Sequence, residues 1–173
     1  MRGQFRKFCA FEGPFDEFIY IDCDTVVLKD VYFTFQFLDR YAFVFSHSDL
    51  PQLRQWVWKD SIFAAQVLTE EQIVFAANTG FFASKAGHLS IREAETKLAE
   101  GLILVEHMEL LCAEQPYLNY LIVTSGKPFT SLLRLQQSAP WCNMSLELWA
   151  GHKLPLRRRD RFRWILDRGA TGL

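Results

Sequence analysis

The stretch that decides the fold is FEGPFDEFIYIDCDTVVLKD, residues 11–30. Within it, residues 18–21 form a run of aromatic and β-branched side chains, and Gly13 with Pro14 marks a turn before that run. We expect a β-strand here, buried on both faces as in a parallel sheet, with residues 26–28 continuing the apolar pattern.

Helical and strand patterns alternate along the rest of the chain. The apolar run at residues 41–45 predicts a second strand. Ser90 and Glu93 have the spacing of a capping box, which predicts the start of a helix. The alternation predicts an α/β fold in which a sheet is flanked by helices. The predicted inward positions of the helices are Val31, Phe33, Phe35 and Leu38 after a cap at Asp30; Ile91, Ala94 and Leu98 before a stop at Gly101; and Leu118, Leu121 and Ile122 between Pro116 and Gly126.

The composition is that of one globular domain. The chain has 173 residues, of which 50% are hydrophobic, and this is enough for a single core. A formal charge of -1 gives no general attraction to nucleic acid, so we expect no nucleic-acid partner. The cysteines are dispersed without metal-finger spacing, which predicts reduced thiols and a cytoplasmic location; they are Cys9, Cys23, Cys112 and Cys142.

Asp22 and Asp24 are the first candidates for chemistry. Residues two apart on a strand point to the same side, so these carboxylates are expected to converge where the strand ends. Oxygen ligands suit Mg²⁺ or Mn²⁺, and a cation held there could neutralise charge on a departing diphosphate. The alternative interpretation is that two aspartates merely end a strand in a turn.

A different enzyme class carries a similar string. Haloacid-dehalogenase-like phosphatases have an apolar strand followed by DxDxT, in which Asp22 would be the nucleophile and Asp24 the general acid. Residues 121–124 would supply the apolar strand ending in Thr, and Lys127 or Lys153 the phosphate-binding lysine. The second acidic cluster of that class has no good counterpart in the sequence.

Three segments together resemble the GT-A glycosyltransferases related to family 8. They are AFEGPFDEFIYIDCDTVVLKD (residues 10–30), IVFAANTGFFASKAG (residues 73–87), whose pattern is strand-like, and CAEQPYLNYLIVTSG (residues 112–126), and they occur in the family's order. The resemblance implies a GT-A fold with a mixed sheet, a nucleotide-diphospho-sugar donor such as a UDP-sugar, and a glycan, lipid or protein acceptor. It also implies a divalent cation, usually manganese, held by Asp22 and Asp24.

The second and third segments carry further site residues by the same resemblance. Asn78, Thr79 and Gly80 match a loop that faces the donor sugar, and Gly80 would permit close approach of backbone. Glu114 and Gln115 match the family's Asp-Gln pair near the transferred sugar, which implies a catalytic role. The alternatives are an ordinary turn at Asn78 and a helix-start acid at Glu114.

The tail departs from the family pattern. In LELWAGHKLP, residues 146–155, Leu148 occupies the position expected for a histidine metal ligand. His152 is the candidate replacement, with Gly151 as a donor-binding position and Lys153 as a phosphate contact. The competing interpretation of His152 is an exposed histidine.

Residues 152–173 form a basic tail, and the run at residues 157–163 is rich in arginine. Such a run suits contact with anionic lipid head groups at the inner face of a membrane, or simply a solvated helix face.

The Asp-Cys-Asp motif begins at residue 22, which leaves no counterpart for the nucleotide-binding half that precedes it in the resembling family. We therefore expect residues 1–173 to be a single, partial GT-A domain whose first strand lacks its normal sheet neighbours and exposes an apolar edge. An inactive, truncated homologue is the third functional hypothesis.

Overall fold

The computed structural model describes residues 3–139. Within these residues a four-stranded mixed sheet is flanked by helices, so the α/β prediction is confirmed. The positions predicted in the tail, which are Leu148, Gly151, His152 and Lys153, lie outside the described residues. The same holds for the basic tail at residues 152–173.

The sheet has the strand order β1-β3-β2-β4. Its strands are β1 (Glu17–Ile21), β2 (Phe43–Phe45), β3 (Phe81–Lys85) and β4 (Phe129–Ser131). Strands β1 and β2 both run antiparallel to β3, whereas β2 and β4 are parallel. The predicted strands at residues 18–21 and 41–45 are therefore present, with β2 shorter than expected.

Helices of two kinds cover the sheet, and no helix among residues 3–139 is long and apolar enough to cross a bilayer. The α-helices are α1 (Pro51–Arg54), α2 (Ile62–Ala65), α3 (Glu70–Phe75), α4 (Ile91–Ile103), α5 (Gln115–Val123) and α6 (Leu132–Ser138). The 3₁₀ helices are Gly3–Glu12, Tyr32–Phe37, Val105–His107 and Leu110–Cys112.

Strand β1 differs from its prediction in position and burial. It lies at an edge of the described sheet and pairs antiparallel with β3 alone, whereas a strand buried on both faces, as in a parallel sheet, was expected. Phe18 is buried, but the three residues that follow it are only partly covered. Residues 26–28 do not continue the strand and are exposed, Val26 at 76%. The apolar pattern gave the strand correctly but not its place in the sheet.

Helix α4 begins as its capping box predicts. The Ser90 hydroxyl accepts from the Glu93 amide at 3.0 Å, and the Glu93 carboxylate accepts from the Ser90 amide at 2.9 Å. Two details of the prediction are wrong: Leu98 is exposed rather than inward, and Gly101 lies inside the helix rather than at its end.

The remaining helical predictions are partly confirmed. Helix α5 buries Leu118, Leu121 and Ile122 as predicted. After Asp30 the chain forms a 3₁₀ helix rather than an α-helix, and the Asp30 carboxylate accepts from the Tyr32 amide at 2.8 Å. Such a local turn satisfies the backbone and competes with a regular helical start.

Successive side chains of β1 alternate between two apolar clusters, one on each face of the sheet. Phe18 and Tyr20 face a cluster that contains Phe11 and Phe82, whereas Ile19 and Ile21 pack on the opposite cluster. Phe11 stacks on Phe82 with ring centroids 5.5 Å apart. This packing fixes the direction of β1 and therefore the place where Asp22 leaves the sheet. Cys9, Cys23 and Cys112 are free thiols.

Candidate functional site

Asp22 leaves the end of β1 through a turn. Its amide donates to the Gly80 carbonyl at 2.8 Å, and its own carbonyl accepts from the Thr25 amide at 3.0 Å. Asp24 therefore lies in the turn, so the strand alternation that predicted convergence of Asp22 and Asp24 does not apply. The turn interpretation of the backbone is the observed one, and Asp24 is exposed.

The loop with Asn78, Thr79 and Gly80 joins α3 to β3. The strand-like prediction for residues 73–87 is wrong over its first part, because residues 73–75 are the end of helix α3. The Asn78 side-chain oxygen accepts from the Gly80 amide at 2.9 Å, which fixes the loop beside Asp22. A Cβ added at Gly80 would lie 3.1 Å from Oδ2 of Asp22 and 3.3 Å from Oδ1 of Asn78.

Gln115, at the start of α5, joins this loop to a third segment. Its Oε1 accepts from the Thr79 amide at 3.1 Å, and its Nε2 donates to the Trp56 carbonyl at 3.1 Å. Glu114 occupies the cap position of α5, so it lies at the helix start as the alternative interpretation has it, but its side chain makes no capping hydrogen bond. Its side chain is 5% exposed and turns toward a cation instead.

That cation is Lys7, which the sequence did not point to. Its ammonium lies 2.5 Å from Oε1 of Glu114 and 3.5 Å from Oδ1 of Asp22. It also donates to the Thr79 carbonyl at 3.2 Å, and its side chain is only 3% exposed. The three segments quoted from the sequence therefore meet around one buried ammonium group.

A periodicity in the sequence could have pointed to the element that carries Lys7. Phe5, Phe8 and Phe11 recur every third residue, which places them on one face of a 3₁₀ helix. Phe8 and Phe11 are buried, and Phe5 packs against the same cluster. The helix is thereby anchored, and Lys7 is carried to the site from the adjoining position.

Tyr20 is the second site residue that the sequence did not point to. Its hydroxyl donates to Oδ1 of Asp22 at 2.8 Å, and its ring stacks on Phe82 with centroids 5.1 Å apart. The Lys7 ammonium lies over the Tyr20 ring, 5.1 Å from its centroid. Burial, together with the hydrogen bond to Asp22, raises the pKa of Tyr20 far above its usual range, so the hydroxyl stays protonated and donates.

The carboxylates at this site suit a divalent cation that takes its remaining ligands from water and phosphates. No group of three or more His, Cys, Asp or Glu side chains suited to a metal occurs among residues 3–139. Asp22 and Asp24 offer carboxylate oxygens, and glycine at position 80 avoids a Cβ that would lie 3.1 Å from Oδ2 of Asp22. Mg²⁺ is commonly held by one or two carboxylates and completed by water and phosphates. The residues present fit that pattern and do not form a closed cage.

Within residues 3–139, which leave out Lys153, the residues proposed for a phosphatase are not brought together. Residues 121–124 form the end of helix α5 and its cap rather than a strand, so that prediction is wrong. Lys127 contacts the His88 carbonyl and lies 3.7 Å from Glu93. His88 follows the end of β3 that pairs with the start of β1, so Lys127 lies at the opposite end of the sheet from Asp22.

Comparison of the chain with protein-family models, with curated proteins and with solved structures found no match.

Proposed function

We propose that this chain is the catalytic portion of a GT-A-like glycosyltransferase, which transfers a sugar from a nucleotide-diphospho-sugar donor to a hydroxyl of an acceptor. The observation that supports this is the meeting of three distant segments around Lys7: the Asp22 turn, the loop at Asn78 and the start of α5. These are the segments whose order resembles the family.

In this proposal Asp22 and Asp24 hold Mn²⁺ or Mg²⁺ against the donor diphosphate. The cation would supply Lewis-acid neutralisation of the charge that develops on the departing nucleotide. The loop at Asn78 and Gly80 would face the donor sugar: the Asn78 side chain fixes the loop through the Gly80 amide, and Gly80 has no Cβ to crowd Asp22. A UDP-sugar is the donor that we would test first.

Glu114 and Gln115 act in this proposal by holding the site in shape. The Gln115 amide is engaged on both sides, with Thr79 and with Trp56. Glu114 is engaged by Lys7, which balances one of the carboxylate charges beside the donor site. A preorganised loop places the donor sugar without further ordering when it binds.

The test is thermal denaturation of the chain with Mn²⁺ and a panel of UDP-sugars. At a ligand concentration of about 100 times Kd, binding stabilises by about 2.7 kcal/mol, which for a chain of this size raises the Tm by about 5–10 °C. Asp24→Asn is expected to abolish this rise, whereas Asp39→Asn, which removes another exposed carboxylate, is expected to keep it.

Unchanged melting in all three proteins would contradict the metal-site assignment and favour an inactive homologue. Hydrolysis of a generic phosphoester with Mg²⁺, lost in Asp22→Asn, would instead favour the phosphatase hypothesis. The acceptor is then sought among glycans, lipids and proteins by transfer of labelled sugar, with lipid acceptors presented in vesicles because of the arginine-rich run at residues 157–163.

A further inference from the structure

The two oxygens of the Asp22 carboxylate have different surroundings. Oδ1 accepts from the Tyr20 hydroxyl at 2.8 Å and lies 3.5 Å from the Lys7 ammonium. Oδ2 faces Gly80, where an added Cβ would approach it to 3.1 Å, and it takes no hydrogen bond from the residues that the structure describes. Oδ1 is therefore engaged by two protein groups, whereas Oδ2 lies beside Gly80 and takes part in none of the hydrogen bonds among residues 3–139.

Tyr20 is well placed to maintain this difference. Residues two apart on a strand share a face, so β1 itself brings the Tyr20 hydroxyl to Asp22. Stacking on Phe82, at an interplanar angle of 19°, fixes the plane of the tyrosine ring. The donor is thus rigid, and the carboxylate cannot rotate without breaking a partly buried hydrogen bond.

We infer that Tyr20 is a positioning residue: it commits Oδ1 of Asp22, so that the carboxylate meets a divalent cation through Oδ2 alone. This inference rests on the proposed function, because it assumes that Asp22 is a metal ligand.

Single-oxygen ligation has a consequence for the choice of metal. Ca²⁺ accepts bidentate carboxylates and six to eight oxygens, whereas Mg²⁺ requires a near-octahedral arrangement. A carboxylate restricted to one oxygen therefore favours Mg²⁺ and Mn²⁺ over Ca²⁺. Without the Tyr20 hydroxyl, Oδ1 can bind the cation together with Oδ2. The affinity for Mg²⁺ and Mn²⁺ relative to that for Ca²⁺ should then fall.

The experiment measures metal binding rather than catalysis. Mn²⁺ affinity is determined from the electron paramagnetic resonance signal of free Mn²⁺ in the presence of UDP, and Ca²⁺ affinity by competition. Tyr20→Phe keeps the stacked ring and removes only the hydroxyl. Tyr117→Phe is the matched control, because it also removes a partly buried hydroxyl, one that donates to the Ala94 carbonyl. Asp24→Asn reports on the metal site itself.

We expect Tyr20→Phe to lower the Mn²⁺ affinity by about tenfold, as is typical when a residue that orients a metal ligand is lost. The loss of Ca²⁺ affinity should be smaller, so the preference for Mn²⁺ over Ca²⁺ falls. Tyr117→Phe should leave both affinities as they are in the unsubstituted protein.

Two outcomes would overturn the inference alone. The first is unchanged metal binding in Tyr20→Phe, and the second is an equal loss of Mn²⁺ and Ca²⁺ affinity in that variant. Both are judged when the unsubstituted protein binds Mn²⁺ and Asp24→Asn does not. A different result would overturn the proposed function as well: no Mn²⁺ binding by the unsubstituted protein, or binding that Asp24→Asn leaves unchanged.

Discussion

A buried lysine needs anionic partners, and Lys7 has them in Glu114 and Asp22. The Lys7 and Glu114 side chains are 3% and 5% exposed, so neither charge is compensated by water. Asp22 is 38% exposed on its side chain, and it could find other partners in solvent. The pair of Lys7 with Glu114 is therefore the part of the site on which folding depends most.

Lys7→Met is expected to lower the free energy of unfolding by about 3–5 kcal/mol, because it leaves the Glu114 carboxylate buried without a cation. Chemical denaturation measures this change. In the double variant Lys7→Met with Glu114→Gln, most of the loss should be recovered, since no uncompensated charge remains. Equal losses in the single and double variants would contradict a coupled pair.

Site residues differed in how far the sequence could predict them. Asp22 was predicted from a local motif, and Asn78 and Gln115 from the resemblance of their segments to a known family; the structure places all of them in one cluster. Lys7 and Tyr20 were not named. Lys7 meets Thr79 across 72 positions of sequence, and local patterns do not report contacts over such separations. Tyr20 lay within the quoted stretch and two residues before Asp22, but the sequence did not show that its ring stacks on Phe82, which holds the hydroxyl against Asp22.

At the scale of elements, the contact of α4 with α5 depends on a missing side chain. A Cβ at Gly101 would lie 2.8 Å from Cε2 of Tyr117 and 3.4 Å from Cδ1 of Tyr120. Tyr117 is held in place by its hydrogen bond to the Ala94 carbonyl and by stacking on Tyr120. Glycine usually weakens a helix interior, so here packing between helices outweighs helix propensity.

Gly101→Ala is expected to destabilise the protein by about 1–3 kcal/mol through overpacking, although alanine favours the helix by about 1 kcal/mol. The measurement is the free energy of unfolding. In a Tyr117→Leu background the clash is removed, and Gly101→Ala should then be neutral or stabilising. A stabilising effect of Gly101→Ala in the unsubstituted protein would show that the helices separate easily at this point.

The elements that could be predicted are those with local signals. The capping box of α4 and the Pro-containing start of α5 each fix a helix by contacts within a few residues. The same reasoning misplaced the end of α4 at Gly101, because Tyr117 decides that position from another helix. It also missed the pairing of β1 with β3, which joins segments far apart in sequence.

At the scale of the whole molecule, β1 leaves one edge of the described sheet unpaired. The Asp22 amide bonds the Gly80 carbonyl, and the Ala86 amide bonds the Asp16 carbonyl, so the even-numbered residues of this segment form the ladder with β3. The backbone groups of Glu17, Ile19 and Ile21 therefore point away from β3. Such an edge, without proline or a bulge, is a template for another strand.

We expect the isolated chain to associate as its concentration rises, by pairing of strands along β1. Ile19→Pro is the direct test, because it removes an outward N–H and leaves the β1–β3 ladder in place. Sedimentation velocity over a range of concentrations should show association of the unsubstituted chain and little association of Ile19→Pro. Val27→Asp changes an exposed apolar residue beyond the strand, 51% exposed, without touching the edge backbone. If Val27→Asp abolishes association and Ile19→Pro does not, contact between exposed apolar side chains, rather than pairing of the β1 edge, holds the copies together.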